Sequence, residues 1–139
     1  MPPEVFLDAS YPIALASPRD ACHAAAKVLA RRLEEESTRL ITTRAVLFEI
    51  GNALARARHR EAAIHILDAI ESDSQVEIVP VSEDLYRRAF SLYSQRQDKE
   101  WGLTDCVSFT VMRERGLTDA LTADEHLRQA GFRALLLET

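Results

Sequence analysis

The chain has 139 residues, 47% of them hydrophobic and 28% charged, with only 4 glycines and 5 prolines. That composition excludes a disordered or low-complexity protein and is sufficient for one core. Lys and Arg number 17 against 22 Asp and Glu, a net charge of −5, which speaks against a protein that holds nucleic acid by overall positive charge.

The longest uncharged stretch, Ala9 to Pro18, is too short and too polar to span a bilayer. The chain start lacks the basic segment and apolar run of a signal peptide. Cys22 and Cys106 stand far apart with no Cys-x-x-Cys spacing, which argues against a zinc knuckle or a disulfide framework and fits a reducing compartment. A cytoplasmic protein without membrane association is expected.

In chain order, Glu4 to Asp8 reads as a short buried strand ending on an acid. No element is assigned from Ala9 to the turn residues Ser17-Pro18-Arg19. Asp20 is placed to cap a helix running to about Glu36, with Ala25, Val28, Leu29 and Leu33 at helical spacing. Leu40 to Thr43 is a second strand. A helix from Arg44 carries Leu47, Ile50, Leu54 and Ala57 on one face, and another from about Glu61 to Ile70 carries Ile64, Leu67 and Ile70. Val76 to Val79 is the third strand, Ser82 opens a helix to about Gln95, and Gln97 to Gly102 is a polar connection. Thr104 opens a helix to about Arg115. Asp119 to Thr122 and Ala134 to Leu137 read as strands flanking a short helix from Asp124.

Short apolar strands separated by helices are the pattern of a parallel sheet covered on both faces. The expected fold is a three-layer α/β/α sandwich with a central, mainly parallel sheet, in one domain spanning residues 1–139.

In such sheets ligands bind beyond the carboxyl ends of the strands, which singles out four acids. Asp8 follows the first strand directly, Asp124 follows the Asp119 strand, and Asp105 starts a helix. Glu49 interrupts the most apolar part of the helix after Thr43. Each has a bland alternative: Asp124 as a helix cap, Asp105 as a first-turn acid favoured by the helix dipole, Asp8 in a turn, Glu49 on a solvated stripe with Asn52 and Arg56. One shared acidic site accounts for all four together.

The segments Phe6-Leu7-Asp8-Ala9-Ser10-Tyr11, Phe48-Glu49-Ile50-Gly51-Asn52-Ala53-Leu54, Leu103-Thr104-Asp105-Cys106-Val107-Ser108-Phe109 and Leu121-Thr122-Ala123-Asp124-Glu125-His126, with Gly131-Phe132 beyond, carry a resemblance. In this order and spacing they resemble the PIN-domain family of metal-dependent ribonucleases, and specifically the small bacterial proteins similar to VapC-type toxins. The resemblance covers nearly the whole chain. Pro12 and Leu127 depart from the usual aliphatic and aromatic residues, and neither touches a carboxylate.

Phosphodiester cleavage requires a nucleophile, charge stabilisation on the phosphoryl oxygens and help for the leaving alkoxide, all of which divalent cations supply. Mg²⁺ and Mn²⁺ favour oxygen ligands. The resemblance implies Asp8 and Asp105 as principal ligands, with Glu49 and Asp124 completing the site. It further implies an RNA substrate, a homodimer and, for a toxin, a cognate antitoxin.

Ser10 and Thr104 are accessory candidates that could orient a carboxylate, although Thr104 could equally cap its helix. Asn52 could hydrogen-bond Glu49 or the substrate. The segment Arg56-Ala57-Arg58-His59-Arg60 could hold RNA phosphates, or be a solvated helix end favoured by the dipole. Trp101 could stack on an unpaired base, or pack over the sheet edge. The four histidines have no zinc-like spacing, and structural or surface roles are expected of them. A haloacid-dehalogenase-type phosphatase would need a second Asp where Ser10 stands, and a receiver domain would need a Lys at a late strand end, where none lies.

Overall fold

The structure, a computed structural model, describes residues 1–138. The strands are β1 (Glu4–Leu7), β2 (Arg39–Thr43), β3 (Val76–Val79), β4 (Asp119–Leu121) and β5 (Arg133–Ala134). The helices are α1 (Ser10–Ala16), α2 (His23–Glu35), α3 (Arg44–Ala53), α4 (Ala57–Ser72), α5 (Glu83–Gln95), α6 (Leu103–Arg115) and α7 (Glu125–Gln129). A 3₁₀ turn covers Leu135–Leu137.

All five strands form one parallel sheet in the order β3-β2-β1-β4-β5. The central strand is the most hydrophobic because helices cover both of its faces: Val5 and Phe6 are fully buried. Helix α1 packs on α2 and α4, while α6 packs on α5 and α7, which forms the two outer layers. Helix α3 touches both α4 and α6 and so closes the carboxyl rim of the sheet. Phe6, Ile41, Ile50, Phe109, Met112, Leu121 and Leu127 fill the core from both sides. The expected three-layer sandwich is the fold found.

Four local expectations are corrected. The unassigned stretch after Asp8 is helix α1, with Tyr11, Pro12 and Ala14 buried. Pro12 sits in the first turn, where its missing N–H costs no helical bond. Helix α2 starts at His23 rather than at Asp20, whose carboxylate instead accepts the Cys22 amide at 2.8 Å in a local turn. Helix α3 stops at Ala53, because Arg56 is extended (φ −62°, ψ 147°) and starts α4; Ala57 therefore belongs to the next helix and not to the face of Ile50. The Ala134–Leu137 strand is reduced to Arg133–Ala134, since the chain turns inward to bury Leu135 and Leu136 and the Leu136 amide donates to the Thr122 carbonyl at 3.1 Å.

Candidate metal centre

Strand register assembles the first part of the site. Leu7 is paired with Leu121 and the Asp8 amide donates to the Leu121 carbonyl, so Asp8 and Thr122 leave neighbouring strands side by side. Thr122 Oγ1, fully buried, donates to Asp8 Oδ2 at 2.6 Å. On the other side of β1, Thr42 Oγ1 donates to the Leu7 carbonyl at 2.7 Å and anchors the same strand end. Ser10 Oγ accepts the Ala123 amide at 2.9 Å and lies 3.3 Å from Thr122 Oγ1. Ser10 thus ties the start of α1 to the end of β4, one hydroxyl away from the Asp8 carboxylate.

Helix starts supply two more acids. Gly102 is the N-cap of α6, and its amide donates to Asp105 Oδ2 at 2.9 Å, which satisfies an otherwise free donor at the helix start. Thr104 lies inside α6 and is not its cap. Asp124 caps α7 by accepting the His126 amide at 2.9 Å, as the capping alternative supposed, and its own amide donates to Thr122 Oγ1 at 3.0 Å. His126 Nδ1 stands 2.9 Å from Asp105 Oδ2 and 3.6 Å from Asp124 Oδ1. One ligand atom from each of Asp105, Asp124 and His126 falls within 4.8 Å of the others.

Glu49 enters from α3, which begins directly after β2 because Thr43 Oγ1 accepts the Val46 amide at 3.2 Å. The apolar face of Val46, Leu47 and Ile50 fixes the roll of this helix. Burial raises the Glu49 carboxyl from 4.5 to about 7, and the charges of Asp8, Asp105 and Asp124 add to the rise. Burial likewise raises Asp8 from 3.8 to about 6, against the pull of the Thr122 hydroxyl and the Ala9 amide and with the push of Asp124 and Asp105. Asp8 and Glu49 therefore share one electrostatic environment with Asp105 and Asp124, in which burial first and the neighbouring negative charges second favour their protonated forms. For His126, burial lowers the pKa, but the hydrogen bond to Asp105 and the charges of Asp124, Asp105 and Glu100 outweigh it, and the net direction is upward.

The residues present fit a divalent cation. The donors are carboxylate oxygens with hydroxyls behind them, hard ligands of the kind Mg²⁺ and Mn²⁺ take. Bound positive charge would offset both the cost of burying charged Asp8 and Glu49 and the smaller repulsion from their acidic neighbours.

The remaining sequence candidates divide. Asn52 is exposed and makes no hydrogen bond to Glu49 among the described residues. Arg56, Arg58 and Arg60 are exposed, but they occupy the start of α4 and not the end of the Glu49 helix, so the dipole opposes them and cannot be what holds them there. Arg60 donates to the Ala55 carbonyl at 2.5 and 3.2 Å, and Arg58 Nε donates to His59 Nε2 at 3.2 Å. Trp101 is only 5% exposed. Its ring meets Phe109 edge-on at 4.9 Å, Arg96 lies over it at 5.0 Å, and Nε1 donates to Gln129 at 3.1 Å. These contacts favour the packing alternative over base stacking.

Two site residues were missed by sequence reasoning. Thr122 looks like an ordinary strand residue, and only its register against Asp8 shows its use. His126 was expected to be structural or superficial; its signal was the position two residues after Asp124, on the short helix that Asp124 caps.

Residues 5–133 match the PIN domain family. The 23S rRNA-specific endonuclease VapC20 of Mycobacterium tuberculosis is 30% identical over 128 residues, 92% of this chain and 95% of that protein, with the same match in two strains. The crystal structure of VapC20, described as a sarcin-ricin loop cleaving toxin, superposes with a TM-score of 0.80 over 92% of this chain and 95% of its own. The structure of FitAcB from Neisseria gonorrhoeae shares the fold at 18% identity, with a TM-score of 0.61 over 94% of each chain.

Proposed function

The chain belongs to the PIN-domain family, and from that premise we propose that it is a metal-dependent endoribonuclease whose cation is held by Asp8, Glu49, Asp105 and Asp124. The observation that carries this reading is the convergence of four acids from β1, α3, α6 and the β4–α7 turn at one rim, with Asp8 and Glu49 raised to about 6 and about 7. A Mg²⁺ or Mn²⁺ ion bound there would supply charge neutralisation at the scissile phosphate and a more acidic water. The side chains do the rest. Asp8, locked by Thr122, and Asp105, locked by Gly102 and His126, present fixed oxygens. Glu49 and Asp124 complete the negative cage, and Ser10 holds α1 against the β4 end. Arg56 and Arg58 offset the repulsion that an RNA backbone would meet on approach.

Ribosomal RNA is the substrate class proposed, since the relative VapC20 is a 23S rRNA-specific endonuclease similar along nearly its whole length. As a toxin of that kind the protein would have a cognate antitoxin and act in the cytoplasm. We also assign it a homodimeric state, which is supported by the exposed, mutually stacked Tyr86, Phe90 and Tyr93 on α5 and is read directly by sedimentation equilibrium.

The test of function is cleavage of ribosomal RNA with Mn²⁺, with EDTA, and with Asp8→Asn. Cleavage that needs Mn²⁺ and falls at least about 100-fold in the variant is expected. RNA binding without cleavage under any condition would instead mark a catalytically silent PIN-like module.

A further inference from the structure

Asp105 Oδ2 accepts two hydrogen bonds, from the Gly102 amide at 2.9 Å and from His126 Nδ1 at 2.9 Å. Its partner oxygen Oδ1 carries neither bond. A carboxylate only accepts, so the hydrogen of this bond sits on His126 Nδ1, and Nε2 lies on the far side of the ring. The amide of the same residue donates to Asp124 Oδ1 at 2.9 Å. His126 is thereby clamped to two acids at once, one through its ring and one through its backbone.

We propose that His126 is the positioning residue of this centre, orienting Asp105 so that Oδ1 faces the cation while its own amide holds Asp124 in place. The inference rests on the four-acid reading above and goes beyond it by assigning the imidazole to the carboxylates rather than to the metal. The Gly102 amide alone holds Oδ2 from one direction and leaves the carboxylate free to swing about that bond. The second donor removes this freedom, which is how outer groups commonly orient metal-ligating side chains. Leu127, fully buried beside His126, holds the short helix down and keeps the ring in register with α6.

The measurements are Mn²⁺ affinity by calorimetry and electron spin-echo modulation of the Mn²⁺-loaded protein, applied to wild type, His126→Ala and His126→Asn. Asparagine keeps a side-chain N–H donor at a similar reach, whereas alanine keeps none. Loss of the donor is expected to weaken Mn²⁺ binding about 10- to 100-fold, and asparagine to restore most of it. Wild type is expected to show no directly coordinated nitrogen. A coordinated ¹⁴N signal that disappears in His126→Ala would make the histidine a metal ligand and overturn the proposal. So would an unchanged affinity in folded His126→Ala. If wild type itself binds no Mn²⁺, the four-acid site fails, and that outcome is distinct from a site that binds normally without the histidine.

Discussion

Thr122 donates its hydroxyl to Asp8 Oδ2 at 2.6 Å, although the two residues stand 114 positions apart in the chain. The bond exists because β4 lies beside β1 in register, so that both strands end at the same level. It sets the properties of the most buried acid in the site. Removing it by Thr122→Val leaves the shape nearly unchanged and strips one donor from a buried carboxylate. The Asp8 pKa is expected to rise above 6, and the acid limb of Mn²⁺ binding and of RNA cleavage to move to higher pH. A stability loss of about 1–3 kcal/mol accompanies it above that pH. Superimposable pH profiles for the two proteins would contradict this.

Metal-free stability should fall as pH rises. Asp8 goes from 3.8 unfolded to about 6 folded, and Glu49 from 4.5 to about 7. Between those values the folded state binds more protons than the unfolded state, so stability declines from about pH 4 to about pH 7 and then levels. For Asp8 the decline amounts to roughly 3 kcal/mol. Cation binding replaces those protons, so the gain in Tm on adding Mn²⁺ should be larger at pH 8 than at pH 5. Thermal melts in EDTA and in Mn²⁺ read both slopes, and Asp8→Asn with Glu49→Gln should flatten the metal-free slope.

We propose that Trp101 acts in packing and not in RNA binding. Trp101→Leu should lower Tm by removing the edge-on packing with Phe109, worth about 0.5–1.5 kcal/mol beyond area burial, together with the Gln129 bond. RNA affinity, measured with the uncleavable Asp8→Asn background, should stay unchanged. A clear drop in affinity in a folded variant would return the residue to the RNA interface.

Arg56 and Arg58 are the phosphate contacts proposed above, whereas the Arg60 guanidinium is held by the Ala55 carbonyl through two of its nitrogens. Arg56→Ser with Arg58→Ser should weaken RNA binding evenly across sequences and reduce the slope of log affinity against log salt by about 1 for each arginine–phosphate pair removed. Arg60→Ser should do less. Equal salt slopes for wild type and the double variant would remove these residues from the interface.

Much of this molecule is legible in the chain because its signals are local. Val5, Phe6 and Leu7 must be buried on both faces, and Ile41 and Ala120 in the flanking strands repeat that demand, so a covered parallel sheet follows from residue types alone. The rule that sites form beyond the strand ends then selects Asp8, Glu49, Asp105 and Asp124. Helix α1 was hidden by Pro12, whose tolerance depends on a position within the first turn that no periodicity reveals. The sequence separates two helices here but places the break after Ala57 rather than after Ala53, because Leu54 to Arg58 has ordinary helical propensity and does not mark where the first helix stops. The same holds for Trp101, whose exposure could not be known before Phe109 and Gln129 were brought to it.

The acids, then, can be read from the order of residues, since Asp8, Asp105 and Asp124 sit at junctions between elements and Glu49 interrupts an apolar helix. Their partners cannot. Thr122 reaches Asp8 through strand register, and His126 reaches Asp105 through the docking of α7 on α6; both relationships join residues distant in sequence, and both arise only when the layers close. The net charge of −5 shows the same division. Composition alone makes it a general acidity unfavourable to nucleic acid, whereas packing concentrates part of it into one rim, the site proposed for a cation.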